Sequence, residues 1–365
     1  MPASFGNRRR QSLRDVFHSI VERAGSWPAD GLLIAGDLFE HDRVSRDTIH
    51  FLIAEFKSIP EVPVFIAPGN HDPFTPDSPY ATETWPKNVF IFSKPQWSGY
   101  SVGDGAMTVH GFGFDGPRTS HNPFGELRIS KQQRGEVHVA VAHGSERSHQ
   151  PPDKDEYAPF DAKDAATEDL DYLALGHFHS VTPIEGDFDT TIYYSGAPEG
   201  HSLRETGMHH YLEVEIKKGK TRVTSVPSSR IVYSSHRLEC DAFESAQDAI
   251  QAIRKIAQEE EVRQITRITY TGSIDPAVHD EMGLVHDAAS IDFEHLYLVD
   301  QTLPTEDYEE LGRADTGLGA FVRTLNGEIA AAADEVQRQR LERTRHLGVA
   351  AFRGREVEIM GLERG

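Results

Sequence analysis

Four times in the first half of the chain, a short apolar run stops at a small residue and leads at once into Asp, Asn or His. Gly31-Leu32-Leu33-Ile34-Ala35-Gly36 leads into Asp37, and Pro63-Val64-Phe65-Ile66-Ala67 into Gly69-Asn70-His71-Asp72. Val137–Ala142 leads into His143-Gly144, and Tyr172–Leu175 into Gly176-His177-Phe178-His179. Continuous apolar runs of this length mark strands buried on both faces, as in parallel sheets. In open α/β sheets, sites form in the crevice outside the carboxyl ends of the strands. Four loops leaving four such strands can therefore meet at one point.

Singly, each motif has an ordinary explanation: a Gly-Asp turn, a capped Asn-His-Asp loop, a strand-end histidine. His177-x-His179 stands somewhat above the others, because alternate strand residues face the same way. Together, in this order and each after a strand, they are poorly explained by coincidence. Asp, Asn and His are hard or borderline donors suited to Mn, Fe or Zn. The adjoining glycines permit tight turns that bring backbone and donors close.

Between the runs the apolar period changes to that of a helix. Leu13, Val16, Phe17, Ile20 and Val21 predict one helix, and Ser12 with Asp15 resembles a capping box at its start. A second helix is expected over Ser45–Lys57, with Ile49, Leu52, Ile53 and Phe56 as its apolar face. This βαβ rhythm implies a mostly parallel sheet. Tyr100–Val102 and Met107–His110 then flank a Gly-Asp-Gly turn, a hairpin signal. Ser145–Asp171 is polar, acidic and Pro-containing, and is expected as a long surface loop with one helical turn. Thr191–Tyr194, Tyr211–Ile216 and Thr221–Val226 are further strand candidates.

Composition shifts after about Ser235. An amphipathic helix is expected over Asp241–Glu261, between strands Ile231–Leu238 and Ile265–Tyr270, with His295–Val299 as another strand. Gly317 to about Ala351 is helical in pattern. At 365 residues the chain is long enough for two domains. We place the boundaries at 1–235, 236–302 (a small α+β cap) and 303–365 (a helical tail).

The charge balance narrows the function. Lys+Arg 37 against Asp+Glu 58 gives −21. A protein that simply coats nucleic-acid phosphates would be basic. An enzyme that meets phosphate through bound cations is not excluded, because those cations dominate the local charge. Acid is expected to concentrate in 153–171 and on outer faces, leaving the pocket less negative. No apolar run approaches the roughly 18–20 residues that cross a bilayer, so no membrane partner is expected. One cysteine, Cys240, supports neither an internal disulfide nor a cysteine-based zinc site, which points to a cytoplasmic chain.

Gly36-Asp37-Leu38-Phe39, Gly69-Asn70-His71-Asp72, His143-Gly144 and Gly176-His177-Phe178-His179 resemble the signature of the calcineurin-like metallophosphoesterases. Leu38-Phe39, and the later Ser195-Gly196-Ala197-Pro198-Glu199-Gly200-His201, resemble the SbcD-type DNA repair exonucleases within that superfamily. The resemblance implies an α/β fold: a layered metallophosphoesterase β-sandwich flanked by helices, with a small capping domain and a helical C-terminal tail. It implies two divalent metal ions, most often Mn²⁺. Asp37 would bridge both ions; Asn70, His143 and His177 would complete the second, and His179 would bind the first. His71 would act beside the scissile phosphate as general acid or transition-state stabiliser. Two ions roughly 3.5–4 Å apart can activate water and hold both oxygens of an in-line displacement. The implied partners are DNA, an SbcC-type ATPase with a long coiled coil, and a second copy in a homodimer.

One departure stands out. The family carries an Asp-x-His on a first strand ahead of the helix near Ser12, and no Asp-x-His precedes Gly36-Asp37 here. About ten residues would hold that strand and its ligands. A late start codon or a truncated chain is the expected explanation, since every later motif is intact; a degenerate, one-metal or inactive protein is the other. The expected function is metal-dependent hydrolysis of DNA phosphodiester bonds. Its rivals are a metallophosphoesterase acting on nucleotides or phosphoproteins, and a non-catalytic DNA-tethering subunit. Arg8, Arg9 and Arg10 are equally consistent with phosphate contact and with simple solvation. For His41 and Asp42, an exposed loop position is favoured over a supporting role at the site. For the stripe Leu318, Phe321, Val322, Leu325 and Ile329, packing within its own domain is favoured over docking a partner.

Overall fold

The computed structural model describes residues 3–27, 29–129, 136–150, 155–167, 169–217, 219–259, 262–275, 278–279, 281–304 and 306–354. Two compact units divide the chain: Met1–Ser234 with Val262–Gln264, and Ser235–Glu261 with Ile265–Gly365.

In the first unit, β1 (Leu32–Ile34), β2 (Val64–Ile66) and β3 (Val89–Ile91) form a parallel sheet in that order. Helix α1 (Ala3–Ser26) and helix α2 (Arg46–Ser58) share an apolar cluster with this sheet, in which Val21, Phe56, Val64 and Ile66 are buried. The Ser45 hydroxyl caps α2, accepting the Thr48 N–H at 3.2 Å. A six-stranded sheet follows: β4 (Ser98–Val102), β5 (Met107–Gly111), β6 (Val137–His143), β7 (Tyr172–Gly176), β8 (Thr182–Ile184) and β9 (Thr191–Tyr194), ordered β4-β5-β6-β7-β9-β8. Strands β5, β6, β7 and β9 are parallel, and antiparallel β4 and β8 close the two edges. The expected Gly-Asp-Gly hairpin is present, with Gly103, Asp104 and Gly105 all at positive φ.

Strand alternation sorts side chains into layers. Val139 and Val141 of β6, with Tyr172 and Ala174 of β7, join Phe65 and Ala67 in the core between the sheets. Ala140, Ala142, Leu173 and Leu175 face the opposite way, into a cluster with Phe112, Phe114, Phe124 and Phe160. The architecture is therefore the expected layered α/β sandwich. An antiparallel hairpin, β10 (His210–Lys217) with β11 (Lys220–Pro227), follows.

Two expectations in this unit are corrected. α1 begins at Ala3, nine residues before Ser12. Ser12 lies inside the helix, buried, and its hydroxyl donates to Glu199 Oε1 at 2.7 Å. Its Ser-x-x-Asp pattern mimics a cap, while the polar first turns give no apolar period to extend. Ser145–Asp171 is not a surface loop: Ala158, Phe160 and Ala165 are fully buried and Leu170 nearly so. The expected helical turn is present as the short helix Ala162–Ala165, on which Asp161 and Asp164 form a capping box. Residues 151–154 and 168 lie outside the described residues.

β12 (Ile231–Glu239) and β13 (Arg263–Thr271), whose first residues are counted in the first unit, make a three-stranded sheet with β15 (His295–Asp300), in which β13 and β15 are parallel. β14 (Ser273–Ile274) and β16 (Leu303–Pro304) pair beside it. α3 (Ala246–Ala257) starts five residues later than the sequence implies. Ser245 and Asp248 cap it, while Asp241 accepts the Ser273 N–H at 3.2 Å. Among the described residues the helical tail holds three helices, Tyr308–Arg313, Gly317–Ala330 and Glu335–Phe352, capped by Asp307, Thr316 and Asp334. The apolar stripe is used internally: Val322 and Leu325 are buried, and the Phe321 ring lies 5.6 Å from that of Phe352. Among the described residues no helix is long and apolar enough to cross a membrane.

Candidate metal centre

Three loops meet where β1, β2 and β6 end. Glycine makes the approach possible. A Cβ on Gly36, which has φ 84°, would stand 2.6 Å from the His143 ring, and one on Gly176 would stand 1.7 Å from the Ala35 carbonyl oxygen. Asp37 and His177 adopt φ of 54° and 114°, positions that L-residues rarely take. Such strain persists where the surroundings over-determine it, and it clusters at functional sites.

His143 is fully buried. Its Nδ1 lies 2.9 Å from the Ala35 carbonyl, so Nδ1 carries the proton and donates it there. Its Nε2 faces Asn70 Oδ1 at 2.9 Å and Asp37 Oδ2 at 3.3 Å. Three donors of the sequence-selected set thus converge. The His177 ring meets the His143 ring edge-on at 5.4 Å. Burial, with the neighbouring His143, holds the His177 pKa down to about 4, against the pull of Asp37. It is therefore neutral, the form that ligates.

His71 sits at the edge of this group, half exposed. Its backbone N–H donates to Asp37 Oδ1 at 3.0 Å, and its Nδ1 lies 3.1 Å from Glu40 Oε2. Burial alone lowers its pKa, but the charges of Asp37 and Glu40 outweigh it and raise it above the ordinary histidine value. His179 is placed differently. Its Nδ1 lies 3.0 Å from Glu205 Oε1, and its ring lies 5.6 Å from that of His201. Among the described residues no group of three His, Cys, Asp or Glu side chains is gathered as a ligand set. The converging trio reaches three only through the Asn70 amide.

Asp72 ends the Gly69-Asn70-His71-Asp72 motif, yet sequence reasoning gave it no task. It is fully buried. Its Oδ1 accepts the N–H groups of Asp37 at 2.9 Å and Gly69 at 2.7 Å; its Oδ2 accepts the Leu38 N–H at 2.8 Å and the Tyr80 hydroxyl at 2.7 Å. One carboxylate therefore locks the Asp37 loop to the Asn70 loop. Glu40 and Glu205 were also missed. Glu40 was findable, three residues beyond Asp37 on the same turn. Glu205 lies 26 residues from His179 with no local signal.

His41 joins the same two loops through its backbone N–H, which donates to the His71 carbonyl at 2.9 Å; Asp42 is exposed. Of the three N-terminal arginines, Arg9 is committed inward. It pairs with the buried Glu199, donates to the Gly200 carbonyl and reaches the Tyr233 hydroxyl at 3.2 Å.

Residues 6–181 match the family model for calcineurin-like phosphoesterase. The uncharacterized metallophosphoesterase YhaO of Bacillus subtilis is 27% identical over 223 residues, which is 59% of this chain and 52% of that protein. A protein named DNA double-strand break repair protein Mre11, from Methanopyrus kandleri, is 24% identical over 225 residues, 58% of this chain and 47% of its own length. A protein of the same name from Sulfurisphaera tokodaii is 24% identical over 218 residues, 56% and 51% of the two chains. The matches therefore span about half the length of each of these relatives.

Proposed function

We propose that residues 6–181, which match the calcineurin-like phosphoesterase model, form a domain that hydrolyses phosphodiester bonds at DNA ends with the help of divalent metal ions. Calcineurin-like phosphoesterases use such ions. The observation that carries the reading is the convergence of Asp37 Oδ2, Asn70 Oδ1 and His143 Nε2. With Nδ1 on the Ala35 carbonyl, Nε2 and the two oxygens of Asp37 and Asn70 point at one another. Three such donor atoms aimed at one point suit a divalent cation, so the residues fit the group. Asp37, Asn70, His143 and His177 would hold one ion, with Asp37 shared toward a second near His179. A bound divalent ion lowers the pKa of water and offsets phosphate charge.

The remaining work falls to side chains already in place. An amide oxygen from Asn70 ligates without adding negative charge, which keeps the centre attractive to a diester. Hydrogen bonding of Nδ1 to Glu40 leaves His71 Nε2 as the atom that gives a proton to the leaving oxygen. DNA as substrate is supported by the names of two relatives, and the SbcC-type ATPase partner and homodimer belong to the same reading.

The test uses the full chain, stripped of metal and reloaded with Mn²⁺, on end-labelled duplex and single-stranded DNA. Nucleotides and a phosphopeptide are assayed alongside. We expect Mn²⁺-dependent cleavage of DNA, lowered about a hundredfold or more in His71→Gln at unchanged metal content. Turnover of nucleotides or phosphopeptide alone would replace DNA as the substrate. DNA binding with no cleavage under any metal would make the chain a tethering subunit.

A further inference from the structure

His143 and His179 are oriented by the same device built from different atoms. In His143 the acceptor for Nδ1 is the Ala35 backbone carbonyl. In His179 it is the carboxylate of Glu205, at 3.0 Å. That carboxylate is not a loose surface partner. Its other oxygen, Oε2, accepts the backbone N–H of His201 at 2.7 Å, and its side chain is 22% exposed. Glu205 is therefore held from one side by its own loop and presents the remaining oxygen to the His179 ring.

We infer that Glu205 is a positioning residue for His179: it holds the proton on Nδ1 and so reserves the Nε2 lone pair for a metal ion. The inference rests on the metal-dependent reading above. An ionised carboxylate only accepts hydrogen bonds, so the nitrogen facing it must be the N–H. In a neutral imidazole the other nitrogen is then the acceptor, and the carboxylate makes it more basic. A backbone carbonyl fixes only the tautomer. Glu205 also adds charge.

Two measurements on the full chain test this. The first is the ¹⁵N spectrum of the His179 ring in metal-free protein. Wild type should show the Nδ1–H tautomer. Glu205→Gln, whose amide oxygen can still accept, should keep that tautomer, whereas Glu205→Ala should shift it toward Nε2–H. The second is Mn²⁺ titration. Glu205→Ala should weaken the His179-dependent ion by about 10–100-fold, with Glu205→Gln between it and wild type. The double variant His179→Ala/Glu205→Ala should bind no more weakly than His179→Ala alone. An unchanged tautomer in Glu205→Ala overturns the inference whatever the metal does. Loss of binding in His179→Ala but none in Glu205→Ala overturns it while leaving the metal reading standing. Unaltered binding in His179→Ala removes His179 from the metal centre and overturns the inference, while the ion held by Asp37, Asn70 and His143 stands.

Discussion

Asp72→Ala should destabilise the N-terminal unit by about 3–5 kcal/mol and disorganise the metal centre at the same time. The carboxylate is fully buried and accepts four hydrogen bonds, from Asp37, Leu38 and Gly69 N–H and from the Tyr80 hydroxyl. Truncation leaves four donors without an acceptor, those of Gly69 and Tyr80 buried and those of Asp37 and Leu38 partly so, each costing up to about 1–3 kcal/mol before water or relaxation recovers part of it. Total stabilities are only about 5–15 kcal/mol, so the loss is a large share. Asp72→Asn keeps one oxygen but turns an NH₂ toward donors, and should cost about 1–3 kcal/mol. Trp85, whose ring lies 5.7 Å from Tyr80, reports on this region in urea titrations. An unmoved midpoint in Asp72→Ala would refute the clamp. Because the clamp sets the spacing of Asp37 from Asn70, Mn²⁺ affinity should fall at least about tenfold in the folded fraction. A lowered midpoint with unchanged affinity would make the clamp structural alone.

Much of the centre was legible because its parts are local. Each donor follows an apolar strand, half-buried in β1 and buried in β2 and β6, and the carboxyl ends of strands are where such sites form. Asp37, Asn70 and His143 could be chosen on that ground, and the structure brings them together. Their supports were not legible to the same degree. Asp72 lies inside a quoted motif, but its partners Asp37 and Leu38 are 35 and 34 residues away. Glu199 also lies inside a quoted motif, and its partners Ser12 and Arg9 are 187 and 190 residues away. A buried acid looks like any other acid until the fold supplies its donors. The Ser145–Asp171 segment failed for a related reason. Its buried residues, Ala158, Phe160, Ala165 and Leu170, follow neither a period of 2 nor one of 3.6, so charge and proline dominate the local pattern. Helix α1 failed at its start because its first turns are polar and are secured by one inward arginine rather than by an apolar face.

That arginine gives the last prediction. Arg9 and Glu199 are 12% and 0% exposed, and the Glu199 carboxylate also takes the Ser12 hydroxyl at 2.7 Å and the Arg230 N–H at 3.2 Å. Arg9→Ala strands a buried carboxylate, and Glu199→Ala strands a buried guanidinium. Breaking one half of such a pair costs about 3–5 kcal/mol. Replacing both by apolar residues of similar size is often nearly neutral, since two desolvation penalties vanish together. Arg9→Met/Glu199→Leu should therefore unfold at a higher urea concentration than either Arg9→Ala or Glu199→Ala. The same variants separate this structural role from phosphate contact. An arginine on DNA phosphate would leave the unfolding midpoint alone and flatten the salt dependence of binding by about one unit of slope. Arg9→Ala should do the reverse: a lowered midpoint, with the salt slope of DNA binding unaltered in the folded protein. The opposite pair of results would place Arg9 on the nucleic acid and leave α1 to be held by its apolar face alone.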